Sequence, residues 1–167
     1  MKITNHHREE LIQAYCDWLN SKQDTNEWTL LAFTVVFKPV DVNNTKSRWE
    51  DEYRTRVLNK FRRLLERNPN NWSKAIPLDT LFYFERFETS KLRLSGSRSP
   101  FHIHSLLPIS TFQLHRIFST ETNSINKSLE KDLYSIDVVQ NVLLEKIRER
   151  DSDVWLRYMS KGKEFSS

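Results

Sequence analysis

Glycine is nearly absent from this chain: 167 residues hold two, Gly96 and Gly162. Walker-type phosphate loops and dinucleotide-binding turns need several glycines, because the backbone must close tightly on phosphate oxygens, and neither can be assembled here. No nucleotide cofactor is therefore expected. Cysteine is equally scarce. The single Cys16 excludes an intramolecular disulfide and a thiolate zinc cluster, which fits a reducing compartment. Long apolar runs are missing as well, and residues 1–10 have no apolar signal core, so neither a membrane span nor a secretory leader is expected. There is no Ser, Gln or Pro tract and no internal repeat. A soluble, cytoplasmic protein without a membrane partner is the expectation.

What the chain does have is apolar and aromatic bulk. Hydrophobic residues make up 38%, with 10 Phe, 5 Trp and 5 Tyr, enough to argue for a folded chain with one real core. One domain over 1–167 is expected, with 1–27 as a helical extension and 28–163 as the core that bears the motifs. The net charge of +4, with a pI near 9.2, is a mild surplus suited to a polyanionic partner. Its distribution is uneven: Arg54, Arg56, Lys60, Arg62, Arg63 and Arg67 form one cluster, Lys91, Arg93 and Arg98 a second, and Arg157, Lys161 and Lys163 a third. Solvated surface is the commoner explanation for any one of them.

Periodicity outlines the elements. Leu11, Ile12, Tyr15, Trp18 and Leu19 recur at helical spacing over 7–22. Residues 28–37, rich in β-branched and aromatic side chains, read as a central strand covered on both faces and ended by Pro39. Ser47 followed by Glu50 has capping-box form, and Trp49, Tyr53, Val57, Phe61, Leu64 and Leu65 stripe a helix to about Arg67. Residues 81–88 read as a second strand, 89–100 as a long hairpin loop and 101–108 as the returning strand. Ser110 to Gln113 again has capping-box form and predicts a helix carrying Leu114, Ile117 and Phe118. A polar loop at 120–126, a fourth strand at 134–139, a helix through Leu143, Leu144 and Ile147, and a last helix from Val154 to about Lys161 complete the expectation.

Two groups of residues carry chemistry. In a strand His102 and His104 share a face while Ile103 points to the core, so two imidazoles stand side by side as candidate metal ligands. Antiparallel pairing brings an acid from the preceding strand near them. Glu85 and Glu88 lie on opposite faces of that strand, so only one can share the histidine face, and sequence does not choose between them. Mixed imidazole and carboxylate ligation suits Mn²⁺, Fe²⁺ or Zn²⁺, or Mg²⁺ when substrate phosphate supplies oxygens. The plainer reading is a pair of satisfied buried histidines. A cupin-type site fits badly, since Leu107, Pro108 and Ile109 stand where a glutamate would follow the second histidine. The other group is Tyr158 and Lys161, three apart on one helical face. A phenol with a pKa near 10 is a weak nucleophile at neutral pH unless its electrophile is strongly polarised. The plainer reading here is an interfacial aromatic packed beside Trp155.

In chain order, the strand with Phe33-Thr34-Val35-Val36-Phe37, the strand with His102-Ile103-His104 and the helix with Tyr158-Met159-Ser160-Lys161 resemble the three motifs of the HUH endonucleases. Specifically, the set resembles that of the single-tyrosine rolling-circle replication initiators of small plasmids, single-stranded DNA phages and related viruses. It spans roughly residues 28–163. It implies an α+β fold in which helices flank a central antiparallel sheet of ferredoxin or RRM type, with a metal site on the sheet and the nucleophile on a C-terminal helix. His102, His104 and an acid, Glu85 or alternatively Glu88, would hold one divalent cation, Mn²⁺ or Mg²⁺. Tyr158 would form a 5′-phosphotyrosine link with single-stranded or hairpin origin DNA, and Lys161 would stabilise the phenolate or position the phosphate. Arg93 and Arg98 are candidate DNA contacts, and a helicase of a bacterial host is a candidate partner. A single-tyrosine transposase or a mobilisation relaxase shares this chemistry. A non-catalytic RRM-like nucleic-acid binder shares only the sheet.

Overall fold

The run from Trp28 to Phe37 has apolar side chains on both faces, a pattern that only a strand with neighbours and cover on each side can bury. In the computed structural model, which describes residues 5–25, 27–38, 46–65, 81–86, 101–148 and 151–159, that run is an inner strand. The elements are α1 (Asn5–Asp24), β1 (Trp28–Phe37), α2 (Lys46–Glu52), a π-helical turn (Tyr53–Val57), α3 (Leu58–Leu65), β2 (Leu81–Arg86), β3 (Phe101–Ser110) and a 3₁₀ turn (Thr111–Arg116). There follow β4 (Phe118–Ser119), β5 (Ser124–Ile125), α4 (Lys127–Tyr134), β6 (Val139–Lys146) and α5 (Ser152–Met159). The main sheet has the order β2-β3-β1-β6, and every pairing in it is antiparallel. The fold is therefore α+β, a small antiparallel sheet with helices. Among the described residues no helix is long and apolar enough to cross a membrane.

Each sheet face has its own cover. On one, Leu31, Phe33, Val35 and Phe37 of β1 and Ile103, Leu107 and Ile109 of β3 pack with Trp49, Tyr53, Val57, Phe61 and Leu65 of the helical stretch and with Leu129 and Leu133 of α4. Phe33 stands edge-on to Phe61 at 4.9 Å and Phe37 stacks on Trp49 at 4.6 Å. A hydrogen-bonded chain lies within this apolar layer: the Tyr53 hydroxyl donates to Ser105 Oγ at 2.5 Å, and Ser105 Oγ donates to the Phe33 carbonyl at 3.1 Å. Ser105→Ala leaves the buried Tyr53 hydroxyl without this acceptor and is expected to cost about 1–3 kcal/mol in urea unfolding. Tyr53→Phe removes the donor instead and should cost about 1 kcal/mol. Losses that simply add in the double variant would show that the hydroxyl pair contributes nothing specific.

On the other face Leu30, Ala32 and Leu106 pack with Ile12, Cys16 and Leu19 of α1 and with Ile147 and Leu156. Helices α1 and α5 run antiparallel: Arg157 bonds Glu9 at 2.9 Å, while Cys16 Sγ lies 3.6 Å from Asp153 Oδ1. Burial first, and then the Asp153 carboxylate, push the Cys16 thiol up to about 11. A thiol that holds its proton more tightly when folded supports the fold fully below its unfolded pKa, and that support is lost as pH rises toward the folded value. Stability is expected to fall between pH 9 and pH 11, and Cys16→Ala should flatten that part of a denaturant-midpoint profile. An unchanged slope in Cys16→Ala would assign the fall to other groups.

Four expected elements differ from those found. The capping-box reading of Ser110 fails: Ser110 makes no side-chain cap bond, and Thr111–Arg116 is a 3₁₀ turn that gives way to β4 at Phe118. Gln113 does not reach back to Ser110 but donates Nε2 to the Leu65 carbonyl at 2.7 Å, a tertiary bond that replaces the cap. The predicted polar loop at 120–126 contains β5, joined to β4 through Asn123 at φ 48°, a left-handed position that asparagine tolerates. The predicted fourth strand at 134–139 and helix through Leu143, Leu144 and Ile147 lie out of phase with the chain. Residues Lys127–Tyr134 are helical and Val139–Lys146 are the strand. Val139, Val142 and Leu144 are buried while Leu143 and Glu145 are exposed, the alternation of an edge strand with one face on the core.

Candidate functional site

Alternation along β3 sorts its side chains. Ile103, Ser105, Leu107 and Ile109 belong to the face under the long helical stretch, so His102, His104 and Leu106 belong to the face that α1 and α5 partly cover. The two imidazoles stand with ring centroids 4.7 Å apart and planes at 81°. Both are buried, at 1% and 7% exposure. Cover by the two helices is complete over Leu30 and Ala32, then gives way: Thr34 and Val36 are half-buried, and Leu143, across from Thr34 on β6, is 52% exposed.

The ladder register fixes what stands beside each histidine. His104 is paired with Thr34 on β1 and Tyr83 on β2, and His102 with Val36 and Glu85. Directly opposed residues share a face, so Glu85 occupies the register position beside His102. Its side chain lies outside the described residues, as do all of Glu88, Arg93, Arg98 and Lys161. Thr34 Oγ1 is 2.8 Å from His104 Nδ1, a contact that the apolar pattern of β1 does not signal. Finding it requires the register of strands separated by about 70 residues in sequence.

Two imidazole nitrogens on one strand face, with a carboxylate residue in register beside them, are a donor set that fits a borderline or hard divalent cation. A polar partner at one ring nitrogen, here the Thr34 hydroxyl at Nδ1 of His104, is compatible with ligation through the other nitrogen. Among the described side chains no three His, Cys, Asp or Glu residues gather into a metal-binding group. Tyr158 lies in the last turn of α5, with its side chain outside the described residues. The neighbouring Leu156 is buried with Leu30, Ala32 and Leu106, so α5 is seated on the histidine face.

The largest basic cluster in the sequence lies elsewhere. Arg54, Arg56, Lys60, Arg62 and Arg63 belong to the helical stretch that covers the opposite face. Arg56 bonds Glu52 at 3.0 Å and Asp137 at 2.7 Å, and the guanidinium bonded to it holds the Asp137 carboxyl below its usual range. Arg157 is likewise engaged, by Glu9 and Asp153 at 2.9 Å each. These exposed pairs tie elements together and contribute little individually. No family model, curated protein or solved structure matches the chain.

Proposed function

We propose that the chain is a metal-dependent endonuclease and strand transferase of the HUH type, which nicks and rejoins single-stranded or hairpin DNA to initiate rolling-circle replication. One juxtaposition carries this reading. His102 and His104 share a face of an inner strand, Glu85 is in register beside His102, and the helix bearing position 158 is seated on that same face. Further support comes from the β-α-β-β-α-β order of the main elements with strand order β2-β3-β1-β6, the ferredoxin-like arrangement that the resemblance implies.

His102, His104 and Glu85 would hold the divalent cation. When bound, the cation supplies Lewis-acid polarisation of the scissile phosphodiester, drawing charge from phosphorus so that a weak nucleophile can react. Tyr158 Oη forms the new O–P bond, the bond from phosphorus to the 3′ oxygen breaks, and the proton lost by the phenol is balanced by the one gained by the departing 3′ hydroxyl. The products are a 5′-phosphotyrosine link and a free 3′ end. Lys161 supports the phenolate as its charge develops. Because the covalent link conserves the bond energy, the same tyrosine rejoins DNA by reversal.

The test is direct. The protein is incubated with labelled hairpin and single-stranded oligonucleotide pools and Mn²⁺ or Mg²⁺, run on a denaturing gel, and any shifted species is digested and sequenced by mass spectrometry. A nucleotide-modified peptide containing Tyr158 is the expected result. DNA retention without an adduct, from any pool and either metal, would falsify the nuclease and leave an RRM-like nucleic-acid binder.

A further inference from the structure

Thr34 is the one described β1 residue in the histidine rows that has a polar contact with a histidine ring. It sits in the centre of the sheet, opposite His104 in the ladder, with its Oγ1 2.8 Å from His104 Nδ1. Val36, the β1 partner of His102, has no polar side-chain atom. The two histidines are thus treated differently: His104 meets a hydroxyl from β1, while His102 has its carboxylate residue, Glu85, in register on β2.

We infer that Thr34 is a positioning residue that fixes His104 as the Nδ1–H tautomer, so that its Nε2 lone pair is the one offered to the cation. A neutral imidazole carries one N–H and one lone pair, and the bond made by one nitrogen decides the role of the other. A ligating nitrogen must use its lone pair, so the other nitrogen carries the proton and donates to Thr34 Oγ1. The oxygen is held in place: a β-branched side chain is stiff at its first torsion, and this one stands between strands on both sides. The inference rests on the metal reading above and adds to it the nitrogen of His104 that binds and the residue that selects it.

Two measurements on metal-free protein test it. In ¹⁵N-labelled protein at pH 8, long-range imidazole spectra should show His104 protonated at Nδ1. Thr34→Val, which keeps the branched shape and removes the hydroxyl, should move His104 toward the Nε2–H form, and Thr34→Ser should restore it. A wild-type Nε2–H tautomer, or an unchanged spectrum in Thr34→Val, overturns the inference. Mn²⁺ titration by calorimetry without DNA gives the second readout. Loss of a second-layer partner typically weakens metal affinity by about 10–100-fold, and that is the loss expected for Thr34→Val, with recovery in Thr34→Ser. Saturable Mn²⁺ binding that is equal in wild type and Thr34→Val overturns the role of Thr34 and leaves the metal reading standing. No saturable Mn²⁺ binding in the wild type overturns the metal reading, and with it the role of Thr34 toward the cation.

Discussion

Tyr158→Phe is expected to lower DNA cleavage by at least about 10³-fold, because under the proposed mechanism the substitution removes the atom that forms the covalent bond. The ring is retained, so a structural role for Tyr158 as a packed aromatic would be largely preserved. The comparison therefore separates chemistry from packing. The adduct band should vanish on the denaturing gel while the thermal midpoint and the affinity for the uncut hairpin stay near wild type. His102→Ala and His104→Ala should give a different pattern under the proposed metal role, with cleavage lost and DNA binding largely kept, and because both rings are buried their thermal midpoints are read beside those two measurements. If Tyr158→Phe still forms an adduct at an undiminished rate, the nucleophile is another residue and the role of α5 must be reassigned.

Phe33→Ala should be among the most destabilising single substitutions, at about 3–5 kcal/mol by urea or guanidinium unfolding. Phe33 is fully buried on an inner strand, stands edge-on to Phe61 at 4.9 Å and lies 6.4 Å from the Tyr53 ring. Its carbonyl also accepts the Ser105 hydroxyl. Removing the ring forfeits the transfer energy of a large aromatic and leaves a cavity walled by helix on one side and sheet on the other. For a chain of this length the midpoint should fall by about 10 °C or more. That is a large share of the stability of an ordinary domain. A loss below about 1.5 kcal/mol would mean that the helical stretch collapses into the space, and that its packing on the sheet is looser than the ring geometry indicates.

Much of the architecture was legible because some segments leave no alternative. A ten-residue strand with apolar side chains on both faces has to be inner, and β1 is. The spacing of Leu11, Ile12, Tyr15, Trp18 and Leu19 reads as a helix face, and α1 does bury Ile12 and Leu19 and half-bury Tyr15 and Trp18, while Leu11 is exposed and Cys16 joins the buried face. Segments with weak patterns were misread. Helix α4 buries only Leu129 and Leu133, too little to outline a stripe. In β6, Val142, Leu143 and Leu144 stand in succession and, with Ile147, imitate helical spacing. The exposed Leu143 belongs to the half-covered part of the histidine face, so the departure from strict alternation sits where the sheet is uncovered. For the site, alternation alone put both histidines on one face. Choosing Glu85 as the acid in register, and Thr34 as the partner of His104, required the ladder itself, which a loop of unknown path between two strands does not specify.

The π-helical turn at Tyr53–Val57 acts on the long helical stretch as a vernier acts on a scale. Trp49, Tyr53, Val57, Phe61 and Leu65, all buried, recur every four residues, and in a regular α-helix each such step overshoots a full turn by about 40°. Over the whole series the last side chain would point away from the sheet. A wider turn in the middle takes up much of that drift, and local side chains serve carbonyls just before and within it: Thr55 Oγ1 donates to the Asp51 carbonyl at 2.6 Å, and Asn59 Nδ2 donates to the Thr55 carbonyl. This stretch therefore holds one residue more than an α-helix of the same reach. Deleting the exposed Arg54 or Thr55 would relax the turn to α geometry and leave Phe61 and Leu65 facing the sheet. The same deletion inside Leu58–Leu65 would swing each later side chain about 100° round the axis, taking Leu65 out of the core.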